Sequence, residues 1–308
     1  MRIRTDLAME SREGAENLPG VVARQKRYGD IEETSVIIQT EDAGKTLDKA
    51  PGRYVTLYLR DLYHADAGER LALSRRLCGV LRTMLPLTGD LLVVGLGNRH
   101  MTADALGNRT LDSLLITRHM REETGDSLRG RLRGVCAVAP GVLGMTGMET
   151  AEVVRGIVDH VRPAAVIAID ALAARETSRI CTTVQITDTG IRPGSGVGNH
   201  RLGLTKDTLG VPVIAIGVPM VVYAAVIARD ALTLLLDDLD LSAEDHGPAM
   251  DALISRVTAQ GLGELVVTPR EIDDMIGKVG EIIADGLNLA LQDKLTEEEI
   301  QILSHDHP

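Results

Sequence analysis

The sequence contains no Trp and no Phe, and only five Tyr among its 308 residues. Val, Ile, Leu, Met and Ala must therefore build the core, and the aromatic platforms on which proteins stack single-stranded nucleic acid are scarce. Lys and Arg total 33 against 44 Asp and Glu, which gives a formal charge of −11 at pH 7. An acidic chain is repelled by phosphate backbones and anionic membranes. We therefore expect protein or small-molecule partners, with no direct nucleic-acid contact and no membrane contact.

Paired cysteines and long apolar runs are also lacking. Cys78, Cys136 and Cys181 are an odd number and show no C-x-x-C spacing. This pattern indicates reduced thiols in a cytoplasm-like compartment and argues against a disulfide framework or a zinc site. The most apolar stretch, residues 211–228, contains both Pro and Gly. No membrane-spanning helix is expected from it.

Short, fully apolar runs do recur through the middle of the sequence, separated by amphipathic stretches. They cover residues 91–95, 135–139, 164–169, 184–186 and 211–216. Such runs are typical of parallel strands that are buried on both faces of a sheet. They predict an α/β fold with a doubly wound, mostly parallel sheet flanked by helices, over about residues 90–235.

The regions on either side of this core carry other patterns. Alternating and β-branched residues at 35–40 and 53–59 predict an N-terminal β-rich addition within about residues 30–60. Helices are expected at 65–85 and within about residues 248–304. The C-terminal helices are predicted at 248–260, 269–291 and 296–304. The whole pattern indicates one α/β domain over residues 7–308.

Carboxylates follow three of the predicted core strands: Asp104, Asp170 and Asp188. Ligands bind beyond the carboxyl ends of the strands in an open α/β sheet, so the three side chains are expected at one edge. Asp104 and Asp170 are candidates for an acid–base pair, because two carboxylates that share a proton can activate water and protonate a leaving amine. The alternative interpretation is that each of these two aspartates caps the N-terminus of a helix at the sheet edge.

Gly95, Gly97 and Asn98 follow the first core strand and resemble the start of a nucleotide-binding fingerprint. The third glycine of G-x-G-x-x-G is missing, because position 100 is His100. A tight turn that only glycine tolerates is the simpler interpretation.

The stretch after the fourth core strand combines Asp188, Ser195 and His200. Asp188 opens a D-T-G triplet such as pepsin-like proteases carry, but those enzymes pair two triplets in an all-β framework. Ser195 lies in a Gly-rich stretch without the G-x-S-x-G pattern, which favours a substrate loop over a nucleophile. His200 has three available roles: it orients a carboxylate, ligates a metal or is solvated. These residues are therefore candidates for lining a cleft or a substrate loop at the sheet edge.

Five long motifs surround these candidates: VVGLGNRHMTADALGNRTLDSLLITRHM, APGVLGMTGMET, AVIAIDALAAR, QITDTGIRPGSGVGNHR and LGVPVIAIGVPMVV. Together they resemble the germination protease family of spore-forming bacteria. The resemblance extends from residues 4–11 almost to the C-terminus. It implies a homotetrameric endopeptidase, made as a zymogen in the cytoplasm of the forespore and spore core. Such an enzyme degrades small acid-soluble spore proteins, and its fold is similar to that of hydrogenase-maturation proteases.

The resemblance carries the family's proposed catalytic aspartates onto Asp104 and Asp170, which implies an aspartic-type peptidase without a cofactor. The maturation proteases use equivalent acidic positions to bind a metal. A metal-assisted hydrolase, in which Asp104, Asp170 and His200 hold a divalent ion, is therefore the first alternative. A non-catalytic peptide-binding protein is the second. The chain departs from the family pattern at residues 100–101 and 108–109, and His200 occupies a position where Lys is expected.

The N-terminal stretch RTDLAMES, residues 4–11, is not a secretory signal, because Asp6 and Glu10 interrupt any apolar run. It is similar to the family's target, an acidic residue followed by an aliphatic residue, Ala, any residue and Glu. The resemblance predicts that the chain cuts itself between Asp6 and Leu7 and releases residues 1–6 as a pro-segment. We expect this terminus to be extended and accessible. An ordinary frayed terminus is the alternative.

Overall fold

The structure is a computed structural model that describes residues 5–12, 18–121, 128, 130–192, 202–238, 252, 256 and 265–305. In this part of the chain, nine strands form one sheet with helices on both faces. The strands are β1 (Val21–Tyr28), β2 (Ile31–Ile38), β3 (Gly52–Tyr58), β4 (Leu91–Gly95), β5 (Val135–Val138), β6 (Ala165–Ala174), β7 (Thr183–Thr187), β8 (Val213–Tyr223) and β9 (Val266–Val267). The helices are α1 (Ala8–Arg12), α2 (Glu41–Leu47), α3 (Ala67–Arg82), α4 (Leu106–Asp112), α5 (Leu143–Thr146), α6 (Thr150–Val161), α7 (Lys206–Leu209), α8 (Ala224–Asp238), α9 (Ile272–Leu291) and α10 (Glu297–His305).

The sheet has the strand order β1-β2-β3-β7-β8-β6-β4-β5, and β9 pairs with β8 beside this path. Its parallel part consists of β5, β4, β6 and β8. The predicted α/β fold, with a sheet flanked by helices, is confirmed. The N-terminal strands continue this same sheet, because β3 pairs with β7 in the antiparallel direction.

Three local features differ from the expectation. β7 is antiparallel to β8. The sequence does not reveal this direction, because an apolar run buried on both faces has the same composition in either direction. Residues 41–47, a polar stretch for which no helix was predicted, form α2, and the Thr40 hydroxyl caps this helix by accepting from the Ala43 N–H. β1 was not predicted, because its sequence VVARQKRY is polar along an exposed sheet edge.

The helix expected at 248–260 falls almost wholly outside the described residues.

The two faces of the sheet pack against different helices. Along β6, Ile167 and Ile169 join the cluster that contains α3, α4 and α9, while Val166 and Ala168 join the cluster under α6. This alternation follows the period-two geometry of a strand. No helix in the described part of the chain combines the length and apolar character that crossing a membrane requires.

A buried amide joins α9 to the loop after α4. The Asn288 side chain is 2% exposed. Its Oδ1 accepts from the Leu115 N–H at 2.9 Å, and its Nδ2 donates to the Ser113 carbonyl at 3.2 Å. One side chain therefore forms hydrogen bonds with two main-chain groups of a loop that pairs with none of the described strands.

Asn288→Ala should lower the free energy of unfolding by about 1–3 kcal/mol, because it leaves the buried Leu115 N–H without its acceptor and removes the donor to the Ser113 carbonyl. Urea denaturation measures this loss. Gln25→Ala, at an exposed position of β1, is the control and should change stability by less than about 0.5 kcal/mol. Equal effects of the two substitutions would contradict the role of Asn288.

Candidate functional site

Asp170 lies in the second half of β6, directly after the last residue that pairs with β4. That last pair joins Gly95 to Ile169. Asp170 is 6% exposed, and its Oδ1 accepts from the Ala171 N–H at 3.0 Å. By strand alternation its side chain projects from the same face as Val166 and Ala168. The carboxylate is therefore a buried polar group at the carboxyl end of the parallel strands.

Asp104 ends a short turn that leads from β4 into α4. Its Oδ2 accepts from the Asn98 N–H at 2.8 Å. Gly97 has φ +93°, and a Cβ at this position would lie 1.8 Å from the Asp104 carbonyl oxygen. The turn therefore needs glycine at position 97. Gly97 and Asn98 act as positioning residues for Asp104, which supports the tight-turn interpretation of this motif.

α4 packs directly onto the ends of β4 and β6. A Cβ on Gly107 would lie 2.4 Å from the Leu96 nitrogen and 2.6 Å from the Ile169 carbonyl oxygen. A Cβ on Gly95 would in turn lie 2.6 Å from the Gly107 carbonyl oxygen. These contacts hold the residues after β4 beside the end of β6. Asp104 and Asp170 therefore lie at the same edge of the sheet.

This edge is a topological switch point. After β4, the chain crosses one face of the sheet through α4 and reaches β5 on the outer side. It then returns across the other face through α6 to β6, on the opposite side of β4. Open α/β sheets bind ligands where successive crossovers diverge in this way. The two candidate aspartates flank that point.

Asp188 is not at this edge, so the expectation of three carboxylates together is wrong. Because β7 is antiparallel, its carboxyl end lies towards the amino ends of β6 and β8, where Thr187 pairs with Ala215. The Asp188 Oδ1 accepts from the Arg53 N–H at 2.8 Å and prolongs the contact between β7 and β3. Ser195 and His200 lie outside the described residues.

The reversal of β7 brings a residue that the sequence analysis missed, Gln185, into the row that contains Asp170. Gly217 of β8 pairs with Asp170 on one side and with Gln185 on the other. The two side chains project from the same face, two strand spacings or about 10 Å apart. Gln185 is 6% exposed. A polar residue inside the apolar run 184–186 was the available signal.

Residues 5–12 pack against this part of the molecule. Leu7, Ala8 and Glu10 are fully buried, and residues 8–12 form α1. The expectation of an extended, accessible terminus is therefore wrong. Leu7 and Ala8 pack into apolar clusters, and main-chain N–H groups donate to the Glu10 carboxylate. These contacts outweigh the tendency of a polar terminus to stay solvated.

Gln185 contacts this segment on both sides of the Asp6–Leu7 bond. Its Nε2 donates to the Asp6 carbonyl at 3.1 Å, and its Oε1 accepts from the Ala8 N–H at 2.7 Å. The Asp6 N–H donates to the Ala173 carbonyl at 3.0 Å, and the Asp6 Oδ2 accepts from the Ala173 N–H at 2.9 Å. Lys49 Nζ donates to the Thr5 carbonyl at 2.9 Å. Residues 5–8 are thereby fixed against β6 and β7.

The Glu10 carboxylate is held by main-chain donors. It accepts from the Arg175 N–H at 2.8 Å, from the Glu176 N–H at 3.1 Å and from the Thr5 hydroxyl. Burial raises the pKa of Glu10 above its usual range, although the hydrogen bonds from Thr5 and Arg175 act in the opposite direction. Desolvation of the carboxylate is the larger effect.

The cysteines do not form a nucleophilic site. Cys78 and Cys181 are buried, and Cys136 is half-buried. Burial raises the pKa of all three thiols, that of Cys181 to about 12. A thiol that stays protonated at neutral pH is a weak nucleophile.

Within the described ranges, no three His, Cys, Asp or Glu side chains are grouped as a metal site. Asp104 and Asp170 are the two described members of the metal set considered from the sequence. The third residue of that predicted set, His200, lies outside the described residues.

Comparison with known proteins identifies the family to which this chain belongs. A sequence profile described as germination protease matches residues 2–261. The chain belongs to the germination protease family. The germination protease of Clostridium perfringens strain SM101 is 42% identical, with 97% of this chain and 98% of the relative aligned. That of Bacillus subtilis strain 168 is 34% identical, with 98% of this chain and 97% of the relative aligned. The chain is thus a peptidase of a spore-germination family.

A solved structure gives a more distant likeness. The hydrogenase maturation protease HycI from Thermococcus kodakarensis is 20% identical and has a TM-score of 0.29. The match covers 46% of this chain and 80% of that chain.

The raised pKa of Glu10 predicts a pH dependence of stability. In the folded chain, Glu10 lies near Arg175, Glu176 and Lys49 and is easier to protonate than in the unfolded chain. Its contribution to stability should be complete below the ordinary Glu pKa of 4.5 and should be lost as the pH rises through the raised value.

Urea unfolding of wild type and Glu10→Gln between pH 4 and pH 8 measures this effect. The difference in unfolding free energy should favour wild type most at the acidic end of the range. Gln25→Ala, which changes no ionisable group and lies at an exposed position of β1, is the control and should give a difference that is flat with pH. A flat difference for Glu10→Gln as well would refute the prediction.

Proposed function

We propose that this peptidase cleaves small acid-soluble spore proteins during germination, with Asp104 and Asp170 as an aspartic-type pair. The observation that carries the proposal is the position of the two carboxylates after adjacent parallel strands, at the switch point of the sheet. The substrate class comes from the resemblance to the family. The same resemblance supports a homotetramer that acts in the forespore and the spore core.

The chemistry requires the two carboxylates to differ in protonation. One carboxylate takes a proton from water while the water oxygen bonds to the scissile carbonyl carbon. The other, protonated carboxyl donates its proton to the amide nitrogen as the carbon–nitrogen bond breaks. In an aspartic-type pair, two carboxylates that share one site resist joint ionisation, so the pair holds one proton between them. The proton that leaves water thus replaces the one given to the amine.

We also propose that the chain is a zymogen that cuts itself between Asp6 and Leu7 and releases residues 1–6. The packing of Leu7 supports this. Leu7 lies in a cluster with Leu172, which projects from the same face of β6 as Asp170. The two β6 residues are two positions apart, or about 7 Å along the strand. The proposed bond therefore lies beside the aspartate edge.

Asp170→Asn should lower the cleavage of a small acid-soluble spore protein by at least about a hundredfold, because the amide cannot exchange a proton with water or amine. Gel electrophoresis of the substrate over time measures the rate, and urea denaturation checks that the fold is kept. Asp188→Asn is the matched control. Its side-chain oxygen can still accept from the Arg53 N–H, at the other end of the strands, so activity should stay near wild type.

The same assay separates the alternatives. Full activity of Asp170→Asn would overturn the assignment of the pair. Activity that is lost on chelation and restored by a divalent ion would support a metal-assisted hydrolase. Binding of substrate without any fragments would support a peptide-binding protein.

Self-cleavage predicts a defined mature terminus. After incubation, intact-mass measurement and N-terminal sequencing should show a chain that begins at Leu7, and Asp170→Asn should keep residues 1–6. A mature chain that begins at any other residue would contradict the proposed bond.

A further inference from the structure

The turn that carries Asp104 is held from a second side, by the first turn of α9. The Thr102 hydroxyl donates to the Asp273 Oδ1 at 2.7 Å. Asp273 is the second residue of α9, and 171 positions separate it from Thr102 in the sequence. The turn is therefore joined to a distant helix, in addition to its contacts with the residues after β4.

Apolar packing along α9 reinforces this contact. Ile276 is fully buried, and Ala103 packs against the cluster that contains it. A Cβ on Gly280 would lie 3.2 Å from the Thr110 nitrogen, so α9 and α4 are in close contact. α9 thus lies along both α4 and the turn that precedes it.

The turn itself is short and internally hydrogen-bonded. The Asp104 N–H donates to the Met101 carbonyl at 2.8 Å, and the Ala105 N–H donates to the Thr102 carbonyl at 3.0 Å. Thr102 and Asp104 are the two ends of a single 3₁₀ turn. A displacement of Thr102 therefore moves the main chain that carries Asp104.

The hydrogen bond between Thr102 and Asp273 has little value for folding. Asp273 is exposed and Thr102 is half-buried. Water replaces the lost partner of an exposed donor or acceptor at small cost, so such bonds contribute little to stability. The buried contacts of Ile276 and Gly280 already secure the helix. The bond therefore determines where the turn lies more than whether the chain folds.

Catalysis by a pair of carboxylates depends on small distances. A displacement of about 1 Å in a catalytic group can lower the rate about a hundredfold. The Asp104 Oδ2 accepts from the Asn98 N–H, which fixes this carboxylate relative to the residues after β4. The contact with Asp273 fixes the same turn relative to α9. Asp104 thus has two points of attachment, on opposite sides of its turn in the sequence.

We propose that Asp273 is a positioning residue for the peptidase reaction. It acts through the Thr102 hydroxyl and holds Asp104 in place at the edge of the sheet that carries Asp170. Asp273 itself exchanges no proton with the substrate. This inference rests on the proposed function, because the position of Asp104 matters for cleavage only if Asp104 takes part in it.

Substitutions of the two partners test this role, with kcat and KM measured for cleavage of a small acid-soluble spore protein by the full chain. Asp273→Ala should lower kcat about tenfold and leave KM within about twofold, because a reacting group moves while the rest of the surface stays in place. Thr102→Val, which keeps the shape of the side chain without its hydroxyl, should have the same effect. Thr102→Ser keeps the donor and should retain most of the activity.

The double variant with Thr102→Val and Asp273→Ala tests whether the two residues act together. Its kcat should equal that of either single variant, because each substitution removes the same hydrogen bond. Losses that multiply, to about a hundredfold in total, would show independent effects and would contradict the proposal.

Asp274→Ala is the matched control. Asp274 is the next residue of the same helical turn and has the same charge, but its carboxylate pairs with Lys278 at 3.1 Å. Its removal should leave kcat within about twofold.

Urea denaturation separates positioning from folding. Each of these variants should shift the urea midpoint by less than about 0.5 M, as expected for exposed positions. A decrease in the activity of Asp273→Ala that only matches a loss of folded enzyme would refute the positioning role.

Amide hydrogen exchange measures the hold on the turn without catalysis. In the Asp170→Asn chain, a further Asp273→Ala substitution should speed exchange at the Asp104 and Ala105 amides about tenfold, because a turn released from α9 opens more often. Asp274→Ala in the same chain should leave both rates unchanged. Exchange that is equally slow with both substitutions would contradict the proposal.

The outcomes distinguish this inference from the proposed function. If Asp273→Ala keeps the kcat of wild type while Asp170→Asn is inactive, the positioning role is refuted and the peptidase function stands. If wild type does not cut the spore protein, the proposed function fails, and the exchange rates still decide whether Asp273 holds the turn.

Discussion

The site depends on the direct contact between the first turn of α4 and the ends of β4 and β6. Gly107 approaches the Leu96 nitrogen and the Ile169 carbonyl more closely than any residue with a Cβ could. Because nothing intervenes, the segment that carries Asp104 cannot move independently of the strand that carries Asp170. Gly97 applies the same constraint one turn earlier, where the main chain folds back onto Asp104. Glycine in this motif thus holds the segment that carries Asp104 against the end of β6.

The reversed direction of β7 decides which of its polar side chains lies in the row of Asp170. A parallel β7 would have carried Asp188 to the aspartate edge and Gln185 away from it. The antiparallel β7 places Gln185 in the row of Asp170, and the neighbouring β3 and β2 supply the apolar cluster around Ala8. The antiparallel strands are therefore more than an addition to the parallel core, because they form a wall of the surface on which residues 5–12 lie.

The sequence predicted the parts of the molecule that depend on local pattern. The run 91–95 coincides with β4, and the other apolar runs locate β5, β6, β7 and β8, because burial on both faces demands continuous apolar residues. Asp104 and Asp170 could be selected because each follows such a run. Strand direction could not be predicted, since it is decided by long-range pairing. For the same reason, the positions of Asp188 and Gln185 relative to Asp170 could not be predicted. The burial of Glu10 was equally hidden, because its donors are main-chain groups some 165 residues away in the sequence.

The hydrogen bonding around Leu7 has a consequence for the proposed cut between Asp6 and Leu7. The Leu7 N–H now donates to the Thr5 hydroxyl at 3.0 Å, and the side chain is wholly enclosed. Hydrolysis would turn this amide into an ammonium and would add a second carboxylate to Asp6. Charges without full partners are costly in such a place, so the intact segment packs there more favourably than its fragments would. The proposed cut would therefore loosen the packing of residues 5–12 against β6 and β7, which favours release of the fragments over their rejoining.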